Sequence, residues 1–425
     1  MSGKNFRAGR HLRRAASVFG LLCGLGGWAG LCPAALANTT AATSAAAPRG
    51  DALDTQMQEA GSFPDRQPSS QFQPLAQGRR LRMALLLPLQ SSTLKSAAEM
   101  VRDGFKAAHQ RDGANVDLDV IETDDSAQNI LAAYRAATAV HDVLIGPLSR
   151  SAVSALAASG AVDRPTIALA QPQPQPESGT ETPVVLPSRM LVMGLSIEEE
   201  ARQAASWAAR ENGGGKALIV STSVAWQKRA ARAFVSRWQG SGAQVDVMEL
   251  SVSGSFLNGA ALAQLKKRLQ TDPPAFIFVA LDAAQTRQLR AAVDPGLVLY
   301  GTSQLNSLNL AEVAGAEKRP ELDGVRLLDL PWQLQADHPA VMVYPRAVTT
   351  GTTRRTPDLE RLYALGIDAF RVAAEIGAGH DRFTIDGVTG RLTVQFDGIG
   401  PATFERLEQQ AIYADGVVLP VVTGP

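Results

Sequence analysis

Residues 81–108 read LRMALLLPLQSSTLKSAAEMVRDGFKAA, and this stretch predicts the fold. The apolar run from Met83 to Leu87 is typical of a strand that is buried on both faces of a parallel sheet. After it, apolar side chains recur at helical spacing, at Leu94, Ala97, Val101, Phe105 and Ala108. A buried strand followed by an amphipathic helix is the repeating unit of a doubly wound α/β sheet.

The same alternation continues along the chain. Further strands are predicted at residues 116–121, 143–145 and 165–170, with helices between them. A second series begins near Ser196, with strands predicted at residues 217–221, 245–250, 276–280 and 297–300. About 340 residues exceed what one hydrophobic core usually supports. The sequence therefore predicts an α/β fold with two doubly wound parallel-sheet lobes facing a cleft, joined within each sheet by right-handed crossovers.

The lobe boundaries follow from where each series starts and stops. Lobe 1 is predicted at about residues 81–195 plus 302–385, and lobe 2 at about 196–301 plus 386–420, in a domain of residues 81–425. Residues 38–80 are rich in Ala, Ser, Thr, Gln and Pro, with few large apolar side chains. Such a segment buries too little surface to offset its ordering entropy, so a flexible leader is predicted.

The N-terminus has the pattern of an export signal. Basic residues start the chain, an apolar run rich in Leu, Gly and Ala follows, and Ala35-Leu36-Ala37 offers a cleavage site. The alternative is a membrane-spanning anchor, which needs about 20 strongly apolar residues. Because glycines and Pro33 dilute this run, we expect residues 1–37 to be a cleaved signal peptide and the protein to be periplasmic. No transmembrane segment is expected after cleavage.

Both cysteines of the chain, Cys23 and Cys32, lie inside this signal. A lipoprotein signal needs a small residue directly before the cysteine that will be acylated, whereas Leu22 and Leu31 stand there. An outer-membrane lipid anchor is therefore not expected. The remaining chain has no cysteine, so its framework is not based on disulfides.

Removal of the signal also changes the charge. The full chain has 41 basic and 41 acidic residues, and the signal contains five of the basic and none of the acidic ones. The mature net charge of −5 disfavours nucleic acid or anionic lipid as a partner, because both call for clustered Lys and Arg.

Patterns of catalytic residues are missing from the sequence. It has no G-x-S-x-G nucleophile elbow, and the histidines after the signal lie outside zinc-binding spacings. Gly213-Gly214-Gly215-Lys216 follows a predicted helix and precedes a strand, with Ala217 where a phosphate loop needs Ser or Thr. This run is predicted to end the helix. We expect no catalytic residue, no metal site and no cofactor, and so no enzyme.

Two strand ends could instead bind a ligand. Ser149, Arg150 and Ser151 join a buried strand to a helix N-terminus, where free N–H groups can hold an anion. The alternative is that Ser149 only caps its own helix. Ser303 and Gln304 occupy the equivalent strand end of the second series. Two tryptophans are candidate cleft aromatics: Trp226, which could equally belong to the core, and Trp332, which is expected to be exposed.

Several ordered segments resemble one known family, the LppC-type activators of penicillin-binding proteins. They include residues 85–89, 101–105, 144–148, 195–201, 301–304, 322–332, 361–369 and 385–390. The resemblance implies a periplasmic-binding-protein type I fold without a transport role. It also implies contact with a class A penicillin-binding protein, the synthase that polymerises and crosslinks peptidoglycan, and stimulation of that enzyme. The best-known family members carry an N-terminal helical-repeat domain and a lipidated cysteine. We expect neither here, because the roughly 40 residues before Leu81 are too few for such a domain and neither cysteine follows a small residue.

Three functions remain open at the level of sequence. The first is a non-enzymatic regulator of peptidoglycan biosynthesis that activates a class A penicillin-binding protein by contact. The second is a receptor that delivers an amino acid or similar small anion to a transporter, motivated by Ser149 and Ser303. A small molecule or cell-wall fragment in the cleft could also tune partner binding. The third, an enzyme acting on peptidoglycan, would need observed turnover.

Overall fold

The computed structural model describes residues 79–173, 175–177, 180–182, 184–309, 317–346 and 355–422. All of them belong to one compact unit, Asp65–Pro425. The predicted signal peptide, residues 1–37, and the predicted leader up to residue 78 lie outside the described residues. Among the residues that are described, no helix has both the length and the apolarity that a membrane span requires.

The first part of the chain alternates strands and helices. In order, the elements are β1 (Leu81–Leu87), α1 (Lys95–Asp112), β2 (Val116–Glu122), α2 (Ala127–Thr138), β3 (Val143–Ile145), α3 (Arg150–Ala158), β4 (Thr166–Ala168), β5 (Gln175–Glu177), β6 (Thr180–Thr182) and β7 (Met190–Val192). A parallel sheet forms in the order β2-β1-β3-β4-β7, while β5 and β6 make a separate antiparallel hairpin. Strand β1, which the sequence singled out, lies inside this sheet.

The second part repeats the pattern. Its elements are α4 (Ile197–Asn212), β8 (Ala217–Ser221), α5 (Ala225–Gln239), β9 (Val245–Glu249), β10 (Val252–Ser253), β11 (Phe256–Leu257), α6 (Gly259–Thr271), β12 (Phe276–Val279), α7 (Ala283–Arg290) and β13 (Leu299–Tyr300). Ser196 caps α4 by accepting a hydrogen bond from the Glu199 amide at 3.2 Å. The same helix ends at Gly213, whose φ of 56° lies in the left-handed region, as the glycine run predicted.

The last part adds strands to the second sheet and forms a small sheet and helices of its own. Its elements are β14 (Arg326–Asp329), α8 (Pro331–Leu334), α9 (Pro339–Met342), α10 (Pro357–Gly377), β15 (Arg382–Gly387), β16 (Gly390–Gln395), β17 (Thr403–Leu407), β18 (Gln409–Ala414) and β19 (Val417–Pro420). The second sheet has the order β19-β18-β14-β13-β12-β8-β9, with β18 and β19 antiparallel at one edge. Strands β15 to β17 form a small antiparallel sheet of their own.

These positions correct the lobe boundaries. Strand β14 lies in the second sheet, although the sequence placed residues 302–385 in lobe 1. Residues 386–420 were placed in lobe 2, yet β16 packs in the core of the first sheet through Leu392 and Val394, together with Phe370 of α10. We therefore define lobe 1 as β1 to β7 with α8 to α10 and β15 to β17, and lobe 2 as α4 to β14 with β18 and β19. Local periodicity predicted where these strands and helices lie in the sequence, but not which lobe each of them packs in.

Helices α1 and α10 of lobe 1 approach each other closely at two glycines. A Cβ atom on Gly104 would lie 1.9 Å from the Tyr363 carbonyl oxygen, and one on Gly366 would lie 2.1 Å from the Val101 carbonyl oxygen. Because both obstacles are backbone atoms, neither can move without shifting a helix. This crossing fixes α10, whose first turns reach the junction between the lobes.

Candidate functional site

Three crossovers join the lobes: residues 193–196 between β7 and α4, residue 330 between β14 and α8, and residue 408 between β17 and β18. Ser149 caps α3 by accepting a hydrogen bond from the Ala152 amide at 3.3 Å, which is the alternative that the sequence left open. Ser151 is exposed in the first turn of the same helix.

Ser303 has an internal partner instead of an open anion site. Its amide donates to Glu200 Oε2 at 2.7 Å, and its hydroxyl donates to Glu200 Oε1 at 3.1 Å. The Glu200 carboxylate thus occupies the position at which a ligand anion would bind this strand end. Gln304 donates through Nε2 to Asp358 Oδ1 at 3.2 Å, so it also spans from lobe 2 to α10 of lobe 1.

The prediction that Trp332 is exposed is wrong. Its side chain is fully buried, and its ring centroid lies 5.3 Å from that of Tyr363. The indole Nε1 donates to Glu360 Oε2 at 3.0 Å, and the Arg346 guanidinium lies 4.4 Å from the ring. The proline before it starts α8 and turns the ring toward α10, a packing that no local pattern reports. Trp226 is half-buried in the first turn of α5.

Arg150 meets lobe 2 through Glu198 of α4. Glu198 Oε1 accepts from Arg229 Nε at 2.7 Å and lies 3.5 Å from Arg150 Nη1. Burial alone would raise the pKa of Glu198, but its backbone hydrogen bond and the two guanidinium groups outweigh burial and lower that pKa. The carboxylate therefore stays charged and links α3 of lobe 1 to α4 and α5 of lobe 2. Among the described residues, no hydrogen bond or ion pair joins Ser149 or Ser151 to Ser303.

The main feature of the junction was missed by the sequence analysis: a cluster of buried ionisable side chains. Each is at most 6% exposed, and they are Glu200, Asp329, Arg361, Asp368, Arg406 and Glu408. A signal for part of it exists in α10, where Arg361 and Asp368 share one helical stripe with buried Leu365. Charged residues on an apolar stripe indicate buried pairing, because unpaired charges are rarely buried.

Arg361 is the central cation of this cluster. From α10 of lobe 1 it donates to Asp329 of lobe 2 through Nε at 2.9 Å and Nη2 at 2.8 Å. Nη2 also lies within hydrogen-bond distance of the carbonyl oxygens of Ser303, at 2.9 Å, and Asn306, at 3.0 Å. Burial alone would lower the pKa of Arg361, but the charge of Asp329 outweighs it and raises that pKa. This bidentate pair ties the end of β14 to lobe 1.

Arg406 ties the third crossover to the first. Its guanidinium donates to the carbonyl oxygens of Met193 at 2.7 Å and Gly194 at 3.2 Å. Gln203 of α4 donates to the Arg406 carbonyl oxygen at 2.9 Å and accepts from the Glu408 amide at 3.1 Å. All three crossovers are therefore held by buried hydrogen bonds, which is the arrangement of a fixed junction.

The two buried glutamates of the cluster have raised pKa values. Burial, opposed by the Ser303 amide and Arg361 and assisted by the negative charge of Asp329, raises the pKa of Glu200 to about 7. Burial and the nearby charge of Glu200 raise the pKa of Glu408 well above its ordinary value. Among the residues that the structure describes, no group of three or more His, Cys, Asp and Glu side chains could hold a metal ion.

Comparison with known proteins identifies the family. The model of a family described as "LppC putative lipoprotein" matches residues 63–398, which is most of the chain. This chain belongs to the LppC family. The resemblance inferred from the ordered segments is confirmed. The family's description as a lipoprotein does not support the expectation that a lipid anchor is absent, and the predicted signal lies outside the described residues.

Curated relatives in this family share one name. The "Penicillin-binding protein activator LpoA" of Haemophilus ducreyi is 29% identical over 324 residues, which cover 73% of this chain and 50% of the relative. The protein of the same name from Photobacterium profundum is 26% identical over 348 residues, covering 73% and 53%. The chain thus spans about half the length of the curated relatives it matches.

Solved structures confirm the fold. The "LpoA (YraM) C-domain from Haemophilus influenzae, a regulator of PBP1A" is 22% identical, with a TM-score of 0.61 over 80% of this chain and 100% of that chain. A Chromobacterium violaceum protein described as "a putative branched-chain amino acid ABC transporter" is 34% identical, with a TM-score of 0.61 over 79% of this chain and 100% of that chain. The LppC chain therefore has the two-lobed α/β fold of type I periplasmic binding proteins.

Proposed function

We propose that this LppC-family protein binds a class A penicillin-binding protein directly and stimulates peptidoglycan synthesis without catalysing a reaction itself. One observation carries the proposal: the relatives that match along the α/β unit are named as activators of penicillin-binding proteins. The chain also covers the whole of a solved C-domain that is described as a regulator of PBP1A. Since it spans about half of the curated relatives, the proposal is that this half is sufficient for contact.

The fixed junction supports a contact role. Arg361 with Asp329 and Arg406 with the first crossover use buried charges to hold the lobes, and such charges cost several kcal/mol to desolvate. A surface displayed by two lobes in one orientation presents a partner with a preformed interface, which lowers the ordering cost of binding. The junction thus favours a rigid interaction module.

The likeness to the Chromobacterium violaceum protein motivates the receptor alternative, but the strand ends weigh against it. A receptor for a small anion needs free donors at these positions. The donors of Ser303 are used by Glu200, and Ser149 accepts from its own helix. Both observations favour the regulator.

Export to the periplasm is part of the same proposal. The predicted cleavage after Ala37 would place the protein where peptidoglycan is polymerised and crosslinked. Whether a lipid also holds it at a membrane is tested by labelling cells with an acyl-chain analogue.

Direct binding is tested with purified proteins. The chain without residues 1–37 is immobilised and exposed to the class A and class B penicillin-binding proteins of its own bacterium. We expect saturable binding of at least one class A enzyme and no comparable binding of class B enzymes. Absence of class A binding, with a folded chain verified by circular dichroism, would remove the proposal.

A further inference from the structure

A cavity of about 550 Å³ lies at the junction, with walls from both lobes. Lobe 2 supplies Arg210 at the end of α4 and the start of β18, and lobe 1 supplies α8 and the turn between β15 and β16. The third crossover forms the remaining wall through Glu408. None of the sequence-predicted site residues lines this junction cavity. Its volume is within the range of small-molecule sites.

Glu408 is the buried ionisable residue in the lining of this cavity. Its side chain is only 6% exposed, and its Oε2 has no hydrogen-bond partner among the described residues. Buried polar atoms almost always have a partner, so an orphaned one indicates a water or ligand that completes the site. Burial and the charge of Glu200 raise the pKa of Glu408 well above its ordinary value, which favours the protonated carboxyl group, a form that can donate a hydrogen bond.

The rim of the cavity supplies two cations without partners. Arg210 and Arg391 are exposed, and neither guanidinium forms a hydrogen bond or ion pair with any described residue. The one exposed carboxylate in the lining, Asp386, lies 3.5 Å from His338 Nε2 and faces that imidazole. Guanidinium groups bind carboxylates through paired N–H donors. The rim therefore favours an anion, and the interior favours a hydrogen-bond acceptor.

We propose that the junction cavity binds a small carboxylate that also carries hydroxyl or amide groups. Its carboxylate would contact Arg210 and Arg391, and an oxygen acceptor would face Glu408. Such a ligand would touch both lobes and the third crossover at once, so its binding would stabilise the folded chain. The site goes beyond the proposed function and does not depend on it.

Calorimetric titration of the full purified chain tests this site with named probes. N-acetylmuramic acid and alanylglutamic acid carry the required groups, and N-acetylglucosamine is the counterpart without a carboxylate. We expect saturable binding of at least one acid, a rise in the melting temperature that grows with its concentration, and neither effect with N-acetylglucosamine. No binding of either acid at concentrations on the order of 10 mM, or equally strong binding of the neutral sugar, would overturn the proposal.

Variants assign the binding to the cavity. Arg210→Ala combined with Arg391→Ala should weaken the acid at least tenfold, and both side chains are exposed, so folding is preserved. Glu408→Gln keeps a donor and should retain binding within about threefold, whereas Glu408→Leu should lose it. Arg135→Ala, at an exposed position of α2, is the matched control and should change nothing. Unchanged affinity in the double arginine variant would place the ligand elsewhere and overturn the proposal. Since only binding is measured, failure here leaves synthase activation to its own test.

Discussion

Replacing Arg361 by Met should destabilise the protein more than any exposed charge deletion. The substitution keeps an unbranched side chain in α10 but removes the two hydrogen bonds to Asp329, at 2.9 and 2.8 Å, and those to two carbonyl oxygens. Asp329 is fully buried, so its carboxylate would lose its cation. Removing one partner of a buried pair typically costs about 3–5 kcal/mol.

The remaining partners of Asp329 set the magnitude within that range. Its Oδ2 still accepts from Asn306 Nδ2 at 2.8 Å, and its Oδ1 accepts from the Leu330 amide at 2.8 Å. These donors reduce the penalty of the uncompensated charge, so we expect a loss near the lower limit, about 3 kcal/mol in the free energy of unfolding. Hydrogen bonds across the junction are lost as well, so lobe 1 and lobe 2 should unfold with less cooperativity.

Urea denaturation followed by circular dichroism measures this loss. The matched control is Arg202→Met, because the Arg202–Glu199 pair is exposed and lies within one helix, where such pairs contribute about 0.5 kcal/mol. A double-mutant cycle with Asp329→Asn should show a coupling of about 2 kcal/mol, because the second change removes the charge left unpaired by the first. A loss below about 1 kcal/mol for Arg361→Met, or strict additivity in the cycle, would refute the role of this pair.

Three further predictions concern Glu200, Gly366 and Arg150. The folded-state pKa of Glu200, about 7, lies above its ordinary value of 4.5, so its stabilisation is complete below pH 4.5 and is lost as pH rises through 7. In urea denaturation, this group should make the free energy of unfolding roughly 2–3 kcal/mol smaller at pH 8 than at pH 5. Glu200→Gln should flatten this dependence of stability on pH. The same dependence in the variant and the unchanged protein would contradict the assignment. Gly366→Ala should lower the melting temperature strongly, because the new Cβ would collide with the Val101 carbonyl oxygen. A change below about 2 °C in calorimetry would show that α10 can shift freely. Arg150→Ala should lower the free energy of unfolding by less than about 1 kcal/mol, since the pair of Arg150 with Glu198 is partly exposed. It should nevertheless speed hydrogen exchange of the amides at the start of α4. Unchanged exchange would mean that this pair does not hold the lobes together.

The strands and helices could be predicted because their patterns are local. Buried Met83 to Leu87 and the stripe of α1 depend only on neighbouring residues, and the structure places both in the core of lobe 1. The lobe assignment of the C-terminal third depends on which sheet β14 joins and on which core β16 packs into, and strand periodicity determines neither. Membership of the LppC family could be predicted because its segments follow one another in order over residues 85–390, which lie within the match to the family model at 63–398.

The junction could not be predicted because its contacts are distant in sequence. Ser303 and Glu200 are 103 residues apart, and Arg361 and Asp329 are 32 apart. Apart from Arg361 and Asp368, which share the apolar stripe of α10, each residue alone resembles an ordinary surface charge or a polar strand end. The prediction that Trp332 is exposed was wrong for the same reason, since its burial depends on Tyr363 and Glu360 of α10. Of the two predicted ligand sites, Ser149 caps its own helix and Ser303 is hydrogen-bonded to Glu200 within lobe 2.

Stimulation of peptidoglycan synthesis tests the central claim most directly. Purified class A penicillin-binding protein is given radiolabelled lipid II with and without the chain, and the rate of crosslinking is measured. We expect the rate to rise and to saturate at the concentration that saturates binding, while the chain alone converts no substrate. An unchanged rate at saturating chain, or turnover of lipid II by the chain alone, would contradict the account.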